Sequence, residues 1–172
     1  KIPIMIDAEE SWIQDAIDSI VETMMKTYNK EQAIVYNTIQ MYRLDRLDYF
    51  KKLHEDSKEN GYFIGVKVVR GAYLEKENER ARKMGYPTPI QPNKKACNED
   101  YDSALKYACE NIHGISICAG THNEKSCLLL TKLMQLYNIE NNNQKIYFSQ
   151  LLGMSDHISY NLANKGYNTV KY

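Results

Sequence analysis

The sequence predicts an α/β fold: a (β/α)8 barrel, present as an incomplete barrel of about six strands. Three observations predict it. Short apolar runs alternate with amphipathic helical runs along the whole chain, the pattern of a parallel sheet. All six apolar runs finish in polar residues: Asp7 and Glu9, Gln40, Lys67 and Arg70, Thr121-His122-Asn123, Gln150, and Lys171. Polar residues in series at strand C-termini mark the working face of a barrel. No GxGxxG and no P-loop pattern follows a strand, which disfavours a doubly wound dinucleotide-binding sheet. At 172 residues the chain is shorter than the ~250 of a full barrel. Two strand–helix units upstream and a final helix downstream are expected to be missing. The chain opens at Lys1 into a strand-like run and stops at Tyr172 inside another, as a piece of a longer protein would.

The elements follow in order. Ile2–Ile6 is a short apolar strand, and Ser11 is placed to cap the next helix. From Trp12 to Tyr28, Ile13, Ile17, Ile20, Val21, Met24 and Tyr28 recur at helical spacing. Ala33–Gln40 is a second strand. Leu44, Leu47, Tyr49, Phe50 and Leu53 mark a helix that Asn60-Gly61 ends. Tyr62–Val69 is a third strand, rich in β-branched residues. Leu74–Met84 is a charged helix, broken by Gly85 and the prolines at 87, 89 and 92. Asn98–Asn111 is helical, Ile115–Gly120 a fourth strand, and Lys125–Tyr137 a helix packed through Leu129, Leu130, Leu133 and Met134. Lys145–Leu151 is a fifth strand, His157–Asn164 a short helix, and Asn168–Tyr172 a sixth strand.

Composition excludes several classes. Lys+Arg and Asp+Glu are 22 each, so a polybasic nucleic-acid or membrane binder is not expected. No apolar run approaches the ~20 residues of a membrane span. Cysteines 97, 109, 118 and 127 form no CxxC, so neither a disulfide scaffold nor structural zinc is expected. Isolated thiols suit a reducing, intracellular compartment. His54, His113 and His157 are scattered, and no metal site is expected.

Several segments together resemble the proline dehydrogenase family, in its eukaryotic mitochondrial form. They are MIDAEES (Met5–Ser11), IQMY (Ile39–Tyr42), KVVRGAYLEKE (Lys67–Glu77), GTHNEKS (Gly120–Ser126) and YFSQLLGMSDHISY (Tyr147–Tyr160), with the spacing of MGYPTPIQP (Met84–Pro92). VRGAY with FSQLLGM is specific; THN alone is weak. The resemblance spans all 172 residues, one partial FAD-binding barrel domain holding strands three to eight. It implies non-covalent FAD across the C-terminal face. It implies oxidation of L-proline to Δ1-pyrroline-5-carboxylate, with hydride passing from proline C5 to flavin N5 and electrons then to a quinone. A location on the matrix side of the inner mitochondrial membrane is implied too, with peripheral contact there.

The resemblance assigns residues. Asp7, Lys67 and Tyr73 are the catalytic candidates, with Glu9 in support. Asp7 and Tyr73, with Leu152 and Ser159, are the substrate-binding candidates. The cofactor set is Ala8, Gln40, Lys67, Val69, Gly71, Thr121, His122, Asn123, Gln150 and Lys171. Residue chemistry agrees in part. An amide such as Gln40 both donates and accepts, so it can read a flavin edge; bonding to loop backbone is the plainer reading. Lys67 supplies a point charge but no bidentate fork, and Gly71 allows close backbone approach. Lys67 and Arg70, three apart, point to opposite faces of a strand. Asn123 also fits a plain helix cap, and so does Asp7. Ser159 replaces a bacterial tyrosine, leaving room beside the substrate ring for hydroxyproline. In the family an Arg pair on the last helix and a Lys on the first strand clamp the proline carboxylate. Both lie outside this chain, so the chain alone is expected not to turn over proline. Two alternatives stand beside this reading. One is a phosphate-binding, aldolase-like lyase using Lys67 as a Schiff base. The other is a non-catalytic barrel module.

Overall fold

The computed structural model describes residues 2–172. Six parallel strands form one curled sheet in chain order, a barrel open on one side. The strands are β1 (Ile4–Ile6), β2 (Val35–Gln40), β3 (Ile64–Val69), β4 (Ile115–Gly120), β5 (Ile146–Gln150) and β6 (Thr169–Lys171). The helices are α1 (Ser11–Tyr28), α2 (Arg46–Asn60), α3 (Leu74–Met84), α4 (Lys94–Glu110), α5 (Glu124–Leu136) and α6 (Asp156–Asn164).

Strand alternation sorts side chains between two faces. Ile64, Val66 and Val68 of β3, with Ile115, Ile117 and Ala119 of β4, pack outward into the main core under the helices. The complementary set faces the lumen. There the register places Lys67 between Thr38 and Cys118. The Cys118 thiol donates to Ser149 Oγ at 3.2 Å. All four cysteines are buried free thiols. Burial pushes Cys109 up to about 12 and Cys127 up to about 11, so neither is a ready nucleophile.

Three expectations change. Ser11 is not the α1 cap: Glu10 occupies that position. Ser11 instead donates its N–H and hydroxyl to Glu77, a fully buried carboxylate of α3. The α1 residues buried against the sheet are Gln14, Asp18, Val21 and Met25, while Ile13 and Ile20 are exposed. Val21, with Ile17 and Met24 packed against the core, keeps the expected apolar contact, and the bonding of Gln14 and Asp18 turns these polar residues to the same inward side. Helix α4 starts at Lys94, one turn before the expected Asn98, because Asn93 caps it by accepting Ala96 N–H at 2.9 Å.

Candidate active site

A cavity of about 690 Å³ opens at the C-terminal ends of the strands. That lies within the ~300–1,000 Å³ of small-molecule sites. Its wall brings together Asp7, Ala8, Gln40, Lys67, Val69, Gly71, Tyr73, Thr121, His122 and Asn123 from the expected set.

Lys67 is the most constrained of them. Its side chain is 7% exposed, and a buried ammonium needs a partner. Asp7, at the end of β1, supplies it: the two form a close ion pair. Asp7 itself is 75% exposed, so the pair joins a lumen charge to the open rim. The Tyr172 ring lies 5.0 Å from Lys67 Nζ, a cation–π contact. Asp7 therefore serves as a charge partner and not as a cap.

Glu9 ties the rim together. Its N–H bonds Gln14 Oε1 at 2.8 Å, its carbonyl accepts Gln40 Nε2 at 2.9 Å, and its carboxylate accepts the Tyr73 hydroxyl at 2.7 Å. The Glu9 carboxylate pushes the Tyr73 phenol up to about 12, so Tyr73 is a proton donor at neutral pH. Gln40 also accepts Ala72 N–H at 3.1 Å. Both ends of this amide thus bond loop backbone, and Gln40 joins the loops after β1 and β3. The Tyr73 loop turns at Gly71, whose φ of 137° suits glycine alone. A Cβ there would overlap the Tyr42 ring. Gly71→Ala is expected to destabilise the protein by about 2–6 kcal/mol, the sum of overpacking and backbone strain. A shift of the urea midpoint by less than a tenth of its value would count against this.

Arg70 points to the helix side, opposite Lys67. Its guanidinium donates to Asn98 Oδ1 (2.7 Å), Thr121 Oγ1 (2.6 Å) and Ser126 Oγ (3.0 Å), and lies 4.3 Å over the Tyr101 ring. Thr121 Oγ1 also accepts Asn123 N–H at 3.0 Å. Asn123 caps α5 through Lys125 and Ser126 N–H. His122, exposed, bonds Ser155 through Nδ1 at 2.9 Å.

Four expected residues do not line this cavity. Gln150 and Lys171 are register partners on β5 and β6, and both turn toward α6. Gln150 donates to the Thr121 carbonyl and accepts the Ser159 hydroxyl; Lys171 bonds Asp156 and the Met154 carbonyl. Ser159 is buried in that contact. Leu152 is 80% exposed, and Leu151 takes the wall position. Thr38, Lys94 and Tyr172 also line the wall. Two-residue alternation from Gln40 on β2 would have signalled Thr38, and from Val170, the register partner of Ser149, Tyr172. Nothing in the sequence pattern marked Lys94.

A parallel half-barrel with a polar cavity at its strand C-termini is the architecture of a barrel enzyme. The chain belongs to the proline dehydrogenase family, whose model matches residues 1–172. It is 36% identical to "Proline dehydrogenase 1, mitochondrial" of Dictyostelium discoideum over 99% of this chain and 31% of that protein. The human protein of that name is 34% identical over 99% of this chain and 29% of that protein. Hydroxyproline dehydrogenase of Xenopus laevis is 31% identical over 99% and 38%. The chain thus spans about a third of these relatives. Among solved structures it matches proline utilization A from Bdellovibrio bacteriovorus, inactivated by N-propargylglycine. The TM-score is 0.92 at 24% identity, over 99% of this chain and 18% of that one.

Proposed function

We propose that this chain forms the cofactor-bearing wall of an FAD-dependent dehydrogenase that oxidises L-proline to Δ1-pyrroline-5-carboxylate and passes the electrons to a quinone. By the names of its relatives the protein is mitochondrial; peripheral contact with the matrix face of the inner membrane fits the quinone. No helix among the described residues is long and apolar enough to cross a membrane.

The observation that carries the reading is the Lys67–Asp7 pair, a buried ammonium held in the lumen under an exposed carboxylate. The donor set fits FAD. Lys67 and Lys94 put two cations on one cavity wall, while the Arg70 guanidinium is bonded on the helix side. Among the described residues, Lys94 has no carboxylate within ion-pair distance. That leaves positive charge for a diphosphate, and the α5 N-terminus beside Thr121 adds to it. Val69, Gly71 and Ala8 supply the close apolar wall a flat ring needs.

A bound FAD would supply the two-electron acceptor that no side chain provides. The chain's own residues do the rest. Lys67 favours negative charge beside it in the lumen. Asp7 offers its rim carboxylate to the substrate ammonium. Tyr73, fixed by Glu9, covers the substrate ring and keeps water out. A carboxylate clamp for proline would come from outside these residues, so the chain alone is expected to be inactive.

The test is a visible spectrum of the full-length polypeptide without oxygen, before and after L-proline. An oxidised-flavin band that bleaches on adding L-proline supports the reading. A band indifferent to proline moves the substrate. A colourless protein that takes up no added FAD defeats the reading. Borohydride trapping of a substrate on Lys67 would then favour the aldolase-like lyase.

A further inference from the structure

We propose that Gln14 is a positioning residue for this site, acting through the backbone of Glu9; the inference rests on the proline-oxidising reading above. Gln14 is 1% exposed and sits in the first turn of α1, outside the cavity wall. Its Oε1 accepts Glu9 N–H and its Nε2 donates to Asp18 Oδ1, both at 2.8 Å. The amide has no freedom to flip. An ionised carboxylate only accepts, so Asp18 holds the NH2 end on its side and leaves the oxygen for Glu9.

Asp18 is itself fixed. Oδ1 also accepts Asn37 Nδ2 from β2, and Oδ2 accepts Arg46 Nη1 from α2, each at 2.7 Å. A connected polar network therefore runs from the buried Asp18–Arg46 pair, through Gln14, to the loop carrying Asp7. Gln40 holds the Glu9 carbonyl from the other side. With its N–H and carbonyl both held, Glu9 delivers its carboxylate to Tyr73 in one orientation. Removing the Gln14 contact leaves the Glu9 N–H without this acceptor and frees the Glu9 carboxylate to turn from Tyr73, while Asp7 stays held by its ion pair with Lys67. None of Gln14, Asp18 or Arg46 lines the cavity, so their influence on substrate has to pass through Glu9.

The experiment is a double-mutant cycle in the full-length flavin-loaded protein. Gln14→Met keeps the length of the side chain and removes both polar ends. It is expected to raise KM for L-proline about 5–10-fold with kcat changed less than about twofold, the mark of lost substrate binding and not of lost chemistry. In a Tyr73→Phe background the same substitution is expected to raise KM less than about twofold, because the contact it acts through is gone. Equal factors in both backgrounds would overturn the proposal, and so would an unchanged KM. Gln14→Asn, one methylene too short to reach both partners, gives the same reading should Gln14→Met fold poorly. The parent separates the two levels. A parent that ignores proline overturns the reading and this inference with it. A parent that bleaches normally, alongside a Gln14→Met variant of unchanged KM, overturns the inference alone.

Discussion

Lys67→Met in the full-length protein is expected to slow proline-driven flavin bleaching by about 10²–10³-fold, the usual cost of removing one preorganised donor at developing charge. The effect is assigned to chemistry and not to folding. Met fills the lumen slot between Thr38 and Cys118 with nearly the same stem. The orphaned partner, Asp7, is three-quarters exposed and stays hydrated. Thermal stability should therefore change little. Lys67→Arg keeps the charge but must fit a planar fork into that slot, under the Tyr172 ring 5.0 Å away. It is expected to recover only part of the rate. Stopped-flow absorbance without oxygen measures both variants, with flavin content checked beforehand. Bleaching by Lys67→Met within about threefold of the parent would reduce Lys67 to a structural partner of Asp7, since a loss that small is far below that of an electrostatic donor.

Where sequence and structure part company, polar bonding and face selection are the cause. The charged run that Gly85 ends locates Leu74–Met84, and the apolar run that Gly120 ends locates Ile115–Gly120, each to the residue. Polar strand ends are a blunter signal. They count Gln150 and Lys171 with Lys67, although two-residue alternation sends the first two to the α6 side. The register between strands decides this, and register is a tertiary fact. Helix α1 shows the same limit more strongly. Of its isoleucines Ile17 packs on the core as the spacing suggests, but Ile13 and Ile20 do not; Gln14 and Asp18 turn inward, drawn by Asn37 and Arg46, which lie 19 and 28 residues beyond Asp18. No local pattern encodes that pairing. Asn93 is the reverse case: it directly follows Pro92, one of the prolines read as a break, and is the cap that starts α4.

The Asp18–Arg46 pair yields a large expected stability effect. Both side chains are about 5% exposed, and Arg46 lies 4.1 Å over the Tyr49 ring. Arg46→Met strands a buried carboxylate with only neutral amide donors, Gln14 and Asn37. The loss is expected to be about 3–5 kcal/mol, the cost of breaking a buried pair by removing one partner. Asp18→Leu should cost less than Arg46→Met, since the guanidinium keeps Asp45 Oδ2 at 3.5 Å from Nη2, although its Nε has no partner. The double variant is expected to lose less than either single change, because neither charge is then left alone. Urea unfolding of the full-length protein measures all three. A loss below about 1 kcal/mol for Arg46→Met would mean that water or a proton relieves Asp18, contrary to the desolvation argument. The double variant also separates two jobs of the network. Its fold recovers while Gln14 still lacks the anchor that orients its amide. Stability should then return toward the parent value while KM for L-proline stays raised.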